Sequence, residues 1–290
     1  MASLKELRTR ISSVKTTKQM TNAMKMVAAA KLRKAQQAIL QVRPYANKIH
    51  DILETVVAAT NGDVDNRLFE TRKLKKILLI VITSNRGLCG AFNANVEKKA
   101  IETIENYEKQ GISSENIDIY CFGKRGAESL KRRNYNVIEK DYDVFDNLTY
   151  ENISIKSTEL ANKYANGEYD RIEVIYNSFK NAATQILTKE QFLPVAMPED
   201  LKVKGDFIFE PTLAGIIETL VPQALTMQLF KALLDSFAAE HGARMTAMHK
   251  ATDNATELIH ELTLSYNKAR QAVITGEILE IVSGAEALKG

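Results

Sequence analysis

The sequence predicts an α/β fold with long helices: an antiparallel two-helix coiled coil, formed by N- and C-terminal arms, that carries an inserted Rossmann-like α/β domain. Two sustained 3–4 repeats of apolar residues predict the arms, one over residues 1–57 and one over 207–288. A switch to short unbroken apolar runs alternating with helical patterns predicts the insert, residues 75–195. Both arms join the same insert, so residue 57 should lie near residue 212 and the arms should run antiparallel.

The first arm opens on "SLKE", where Ser3 can cap the first turn and Glu6 can reach back as a capping box. From there the seam passes through Leu4, Leu7, Ile11 and Val14. The same register returns at Ala28, Leu32, Ala35, Ile39, Val42, Ala46, Ile49, Leu53 and Val56. At ~1.5 Å per residue this arm is roughly 80 Å long. Pro44 removes one backbone hydrogen bond and should kink the helix or mark a break.

In the insert, "KKILLIVITS" (75–84) reads as a buried strand after the polar linker "NGDVDN" (61–66). A helix follows at 91–110, then strand 117–123, helix 124–133, strand 135–140 and a helix near 152–165. Strands at 171–179 and 183–195 complete it, and "PVAMPEDLKVKGD" (194–206) is the exit loop.

The second arm begins after "EPT" (210–212). Its count passes through Leu213, Ile216, Leu220, Met227, Phe230, Leu234, Phe237, Met248, Ala251, Ala255, Leu258, Leu262, Ala269, Ala272 and Leu279. Polar interruptions fall at Gln223, His241, Arg244, Ser265, Gly276 and Ser283. At equal rise, residue 4 pairs near residue 265, so the last twenty or so residues outrun their mate, on the order of 30 Å of helix. Val273, Ile274, Ile278, Leu279, Ile281 and Val282 cover more than one face there. A lone helix does not leave such a surface in water, so something outside the chain must enclose it.

Composition narrows the class. The chain has 290 residues, 45% hydrophobic and 26% charged, which suits a soluble globular protein with one or two cores. Net charge is only +3, but residues 1–50 hold eleven Lys/Arg against the single acid Glu6, while 213–288 hold nine acids and five bases. Ends of opposite sign can pair with each other, or one can face an acidic partner. Cys89 and Cys121 have no paired spacing, as in a reduced interior. The acid-poor start has the character of a transit segment, yet the helical pattern runs past residue 50 without a processing break. The span-like stretch 213–230 contains Glu218 and Pro222 and reads as a buried helix.

Enzyme motifs are missing. There is no GxxxxGK[ST] and no GxGxxG. The turns "SNRGLCGAFN" (84–93) and "CFGKRGAESL" (121–130) follow strands, where phosphates often bind, but lack the lysine–serine pair; a tight strand-to-helix turn is the plainer reading. "HELTL" (260–264) has Leu264 where a zinc site needs its second histidine, and His50, His241, His249 and His260 give no metal spacing. They read as surface or helix-interface residues. No cofactor, metal or small-molecule substrate is expected. The basic arm has no stacking aromatics in residues 1–44, which argues against nucleic acid.

"VKTTKQMTNAMKMVAAAKLRKA" (14–35) breaks the seam with Lys18, Thr21 and Lys25 and spreads Met20, Ala23, Met24, Met26 and Val27 onto other faces. Two readings stand: a wide core stripe, or an adaptable methionine surface that meets more than one shape.

Three stretches carry a resemblance. "ITGEILEIVSGAEA" (274–287) resembles the C-terminal signature of the gamma-subunit family of rotary proton-translocating ATP synthases, and "TNAMKMVAAAKLRKA" (21–35) and "TSNRGLCGAFN" (83–93) resemble its other two characteristic stretches. The similarity covers residues 1–288. Asn85 departs from the usual Ser-Asp-Arg-Gly, and Phe207 and Phe209 stand where tyrosines are frequent; the long cysteine-bearing insertion of the chloroplast form is missing. The resemblance implies a non-catalytic rotary shaft inside a ring of alpha and beta subunits, with delta, epsilon and the membrane c-ring as further partners, peripheral on the cytoplasmic face of a bacterial inner membrane. It places Met24 and Lys25 against a moving acidic loop of beta. It ties Arg244, Gln271, Thr275 and Glu277 to coupling, and Arg270 and Gln271 to a catch loop of beta. Phe207 and Glu210 fall at the foot on the c-ring beside epsilon, and Ile278 and Val282 at the tip bearing. Periodicity alone does not separate a turning shaft from a static tether.

Overall fold

A computed structural model describes residues 3–60, 66–196, 209–210 and 212–287. The elements in chain order are α1 (Leu4–Ala59), β1 (Ile77–Ile82), α2 (Phe92–Lys109), β2 (Ile117–Phe122), α3 (Lys124–Arg132), β3 (Val137–Asp141), α4 (Tyr150–Ala165), β4 (Arg171–Phe179), β5 (Gln185–Leu193) and α5 (Leu213–Ala287). The chain divides into two compact units, Ala29–Arg244 and Met1–Ala28 with Met245–Gly290.

In the Ala29–Arg244 unit the sheet order is β3-β2-β1-β4-β5. β1 runs parallel to β2 and to β4, β2 parallel to β3, and β4 antiparallel to β5. β1 is buried on both faces, which explains its unbroken apolar run. Its side chains alternate between two cores. Ile77, Leu79 and Val81 meet Val96, Ala100 and Ile104 of α2 and Leu130 of α3. Leu78, Ile80 and Ile82 belong to the core with Ile153, Leu160 and Tyr164 of α4.

That second core also takes in both long helices. Leu53, Val56 and Val57 of α1 enter it beside Ile217, Val221, Leu225, Leu229 and Leu233 of α5. Farther back along α1, Arg43 meets Asp235. The partner number falls as the α1 number rises, so the helices run antiparallel here. The 3–4 count along α5 holds at Met227, Leu234, Met248 and Ala255, which are buried, and needs a correction at its start. Its Leu213, Ile216 and Leu220 are only partly buried, whereas the fully buried stripe steps by four from Ile217. That stripe enters a core shared by α1, α4 and the sheet, so α5 is apolar over a broad arc.

The N-terminal seam is borne out by burial at Leu7, Ala28, Leu32, Ala35, Ile39, Ile49, Leu53 and Val56. Pro44 does not break α1, which continues to Ala59. Pro44 and Leu40 are both exposed, so the carbonyl deprived of its donor faces water. Pro222 and Glu218 repeat this arrangement in α5. α5 is the one described helix long and apolar enough to pass for a membrane span by length and composition. Ile217, Val221, Leu225 and Leu229 within 213–230 are nonetheless core residues, as a buried helix requires. Cys89 and Cys121 are buried free thiols.

In the other unit, Ser3 Oγ accepts from the Glu6 amide at 3.2 Å, half of the expected capping box. The Thr21 and Thr252 hydroxyls lie 2.9 Å apart. The count that puts residue 57 beside 212 keeps the sum at 269 and expects 248 opposite 21, so the observed pairing is four residues, or one turn, further along α5.

Candidate functional site

A helix seam that contains lysine and threonine cannot close as an apolar seam does. Thr21 is satisfied by Thr252 and by the Lys18 carbonyl at 3.0 Å, which makes the polar interruption a bonded one. Lys18, Met24 and Lys25 are half-buried. Met20, Met26 and Val27 are about three-fifths exposed, at 62, 58 and 59%. The wide-core-stripe reading therefore fails for these three, because no described residue covers them.

Beyond Ala255 no described residue of α5 is buried. Val273, Ile274, Ile278, Leu279, Ile281 and Val282 are 44 to 71% exposed. Arg270, Gln271, Thr275 and Glu277 share this exposed stretch. Glu210 is exposed, whereas Phe207 lies outside the described residues.

Arg244 stands apart from the other expected partner contacts. It is 8% exposed, and its guanidinium is taken up inside the Ala29–Arg244 unit. One terminal nitrogen binds the Glu240 carboxylate; the other donates to the carbonyls of Arg86 at 3.0 Å and Gly87 at 3.2 Å. Burial raises the Glu240 carboxyl above its ordinary value even though Arg244 pulls the other way. Burial, followed by Arg244 and Lys31, depresses neighbouring His241 to about 3. Its ring is neutral, stands edge-on to Phe237 at 4.5 Å, and leaves Nε2 without a partner.

The two glycine-bearing turns meet each other rather than a phosphate. The first amides of α3 are all occupied: Lys124 N by Asn85 Oδ1, Arg125 N by the Ser84 carbonyl and Gly126 N by Thr83 Oγ1. Such amides are what an anion would need. Gly123, at φ 101°, lies so close that a Cβ would fall 2.1 Å from the Thr83 carbonyl oxygen, so only glycine fits. Asn85 also donates to the Tyr142 carbonyl at 2.6 Å, and Ser84 and Asn93 brace the first turn. No group of three metal-ligating side chains occurs among the described residues.

Glu240, Gly242 and the Arg43–Asp235 pair escaped the sequence reading. Glu240 and Arg244 are four apart, a spacing that signals an ion pair on a helix.

A model of the ATP synthase family matches residues 3–288. The chain is 55% identical over 292 residues to the ATP synthase gamma chain of Flavobacterium psychrophilum, with both chains covered completely. It is 49% identical to that of Cytophaga hutchinsonii, with 99% of each covered, and 45% to that of a Geobacter species, with both covered completely. Among solved structures, a chain of the Euglena gracilis mitochondrial ATP synthase OSCP/F1/c-ring assembly matches at a TM-score of 0.66 and 20% identity, over 98% of this chain and 94% of that one. A chain of the Tetrahymena thermophila central stalk and c-ring matches at 0.60 and 24%, over 80% and 99%. At these identities the structural likeness bears on the fold.

Proposed function

The chain belongs to the ATP synthase gamma-chain family, and from that premise we propose that it turns as the central shaft of the complex inside a ring of alpha and beta subunits. It is a subunit of the complex and not the catalytic one; ATP is made and hydrolysed on beta. Its angular position would decide which beta site is open, and so couple proton flow through the membrane sector to ATP synthesis or hydrolysis.

The observation that carries this reading is the uncovered apolar end of α5, with Ile278 at 55% and Val282 at 53% exposure. In a sleeve at the top of the ring these side chains would form a bearing. Arg270, Gln271, Thr275 and Glu277 would contact the ring below it. Met24 and Lys25 would meet an acidic loop of beta: a half-buried lysine that still reaches water pairs strongly enough to transmit force and weakly enough to let go. Phe207 and Glu210 would belong to the foot on the c-ring, beside epsilon, with delta elsewhere in the complex. The assembly would sit peripherally on the cytoplasmic face of the inner membrane.

Native purification of the tagged chain tests this. Co-elution of alpha, beta and epsilon in constant proportion is expected, and a chain that elutes without them refutes the shaft.

A further inference from the structure

Through Ala239 the inward side of α5 is built mainly from apolar core residues. The next stretch, "EHGAR" (240–244), is buried and charged: Glu240, His241 and Arg244 are 7, 5 and 8% exposed. A buried guanidinium must recover the hydrogen bonds it loses to water. Arg244 does so by binding Glu240 with one nitrogen and two consecutive carbonyls, Arg86 and Gly87, with the other. Both carbonyls belong to the β1–α2 turn, and the Arg86 carbonyl receives a second bond from Ser84 Oγ at 2.6 Å.

The outward side of that turn is the opposite of buried. The Arg86 side chain is exposed, and Leu88 is 63% exposed at φ 64°, a left-handed conformation that L side chains rarely adopt. A strained turn that offers a leucine and an arginine to solvent is thus held from behind by a buried cation.

We propose that Arg244 is a positioning residue that works within the chain: it clamps the 84–90 turn to α5, so that Arg86 and Leu88 form a rigid contact element that moves with the helix. The proposal rests on the shaft reading for its purpose but not for its geometry. The apolar stripe Ile217–Leu233 holds the α/β body to α5 without directional preference. Charge-assisted bonds to two fixed carbonyls are directional, and they prevent the turn from lagging when α5 rotates. Arg244 is also the last α5 residue of its compact unit.

The test uses R244M in an E240Q background, which avoids leaving a buried carboxylate unpaired, together with R244K alone. Hydrogen exchange of amides 84–90 is read against 117–122 in the full chain, and protons pumped per ATP are read in the reconstituted complex. The double variant should exchange roughly tenfold faster at 84–90 with 117–122 unchanged, and should pump several-fold fewer protons per ATP while hydrolysis continues. R244K, which can keep one carbonyl bond, should fall between; if the double variant does not assemble, R244K carries the test at smaller amplitude. Pumping loss with unchanged exchange means that Arg244 acts on a partner, and faster exchange with normal pumping means the clamp is idle; either overturns the proposal. Failure of the wild-type chain to assemble with alpha and beta would refute the shaft and leave the exchange result standing.

Discussion

Arg43 and Asp235 tie the two long helices to a strand of the sheet. The guanidinium lies 3.0 Å from Asp235 Oδ1 and donates to the Phe179 carbonyl at 2.9 Å, while Ser178 Oγ donates to the other carboxylate oxygen at 3.1 Å. The pair is asymmetric in burial: the Arg43 side chain is 41% exposed and that of Asp235 only 2%.

That asymmetry predicts unequal costs. R43M strands a buried carboxylate and should destabilise the chain by about 3 kcal/mol. D235N keeps a bonding side chain and leaves an arginine that reaches water, at about 1 kcal/mol. Urea midpoints compare them, and equal costs would contradict the argument.

Asn85 uses both ends of its amide, accepting from Lys124 N at 3.0 Å and donating to the Tyr142 carbonyl. N85D keeps the acceptor and turns an anionic oxygen toward that carbonyl. It should cost about 1–3 kcal/mol, although aspartate is the commoner residue of the resembled family. The same unfolding measurement decides it, and neutrality would mean that the turn re-forms around the acid.

Gly242 lies mid-helix, where glycine costs about 1 kcal/mol relative to alanine. A Cβ there would stand 3.2 Å from the Cα and carbonyl oxygen of Ala182 and 3.5 Å from the Phe179 ring. G242A should therefore be near neutral, helix gain offsetting crowding. G242V adds branches with no room and should lose about 2 kcal/mol or more. A stable G242V would show that the 180–184 turn yields freely.

Much of this architecture was legible from spacing. The strands around Ile77–Ile82 and Ile117–Phe122 are buried on both faces, so their apolar runs are unbroken and bounded by turns. The α1 seam was legible because its buried residues keep to one 3–4 stripe. In α5 the stripe Ile217, Val221, Leu225, Leu229 and Leu233 was missed because a heptad count follows one seam, whereas this stripe enters a core shared by α1, α4 and the sheet. Arg244 read as an interruption for a related reason. Its Glu240 partner is four residues away, but the Arg86 carbonyl lies 158 residues away and leaves no mark in local pattern. The exposed tip was legible in full, since an apolar surface without a mate needs only counting.

His241 predicts a pH dependence. Its folded pKa, about 3, lies below the ordinary 6.5. As pH falls below ~6.5 the unfolded chain binds a proton that the folded chain refuses, so stability drops by up to about 1.4 kcal/mol per pH unit. Arg244 and Lys31 reinforce this shift. Glu240 acts oppositely: its raised value favours the folded chain as pH falls through the carboxylate range. Between pH 6.5 and 5 the histidine therefore dominates the pair. H241Q should lose about 2 kcal/mol less than wild type between pH 7 and 5, by urea unfolding at both. Parallel losses would mean that His241 is charged in the folded chain.

The tip separates fold from assembly. Ile278 and Val282 are more than half exposed in the chain itself, so I278D and V282D should change its unfolding free energy by no more than about 0.5 kcal/mol. In a bearing the same changes would forfeit ~1.5–3 kcal/mol of apolar burial per side chain and add the desolvation of a carboxylate. Yield of intact complex by co-elution should then fall at least roughly tenfold for the double variant. A static tether that leaves this end in water would tolerate both charges, and full assembly of I278D/V282D would establish that no sleeve grips the helix there.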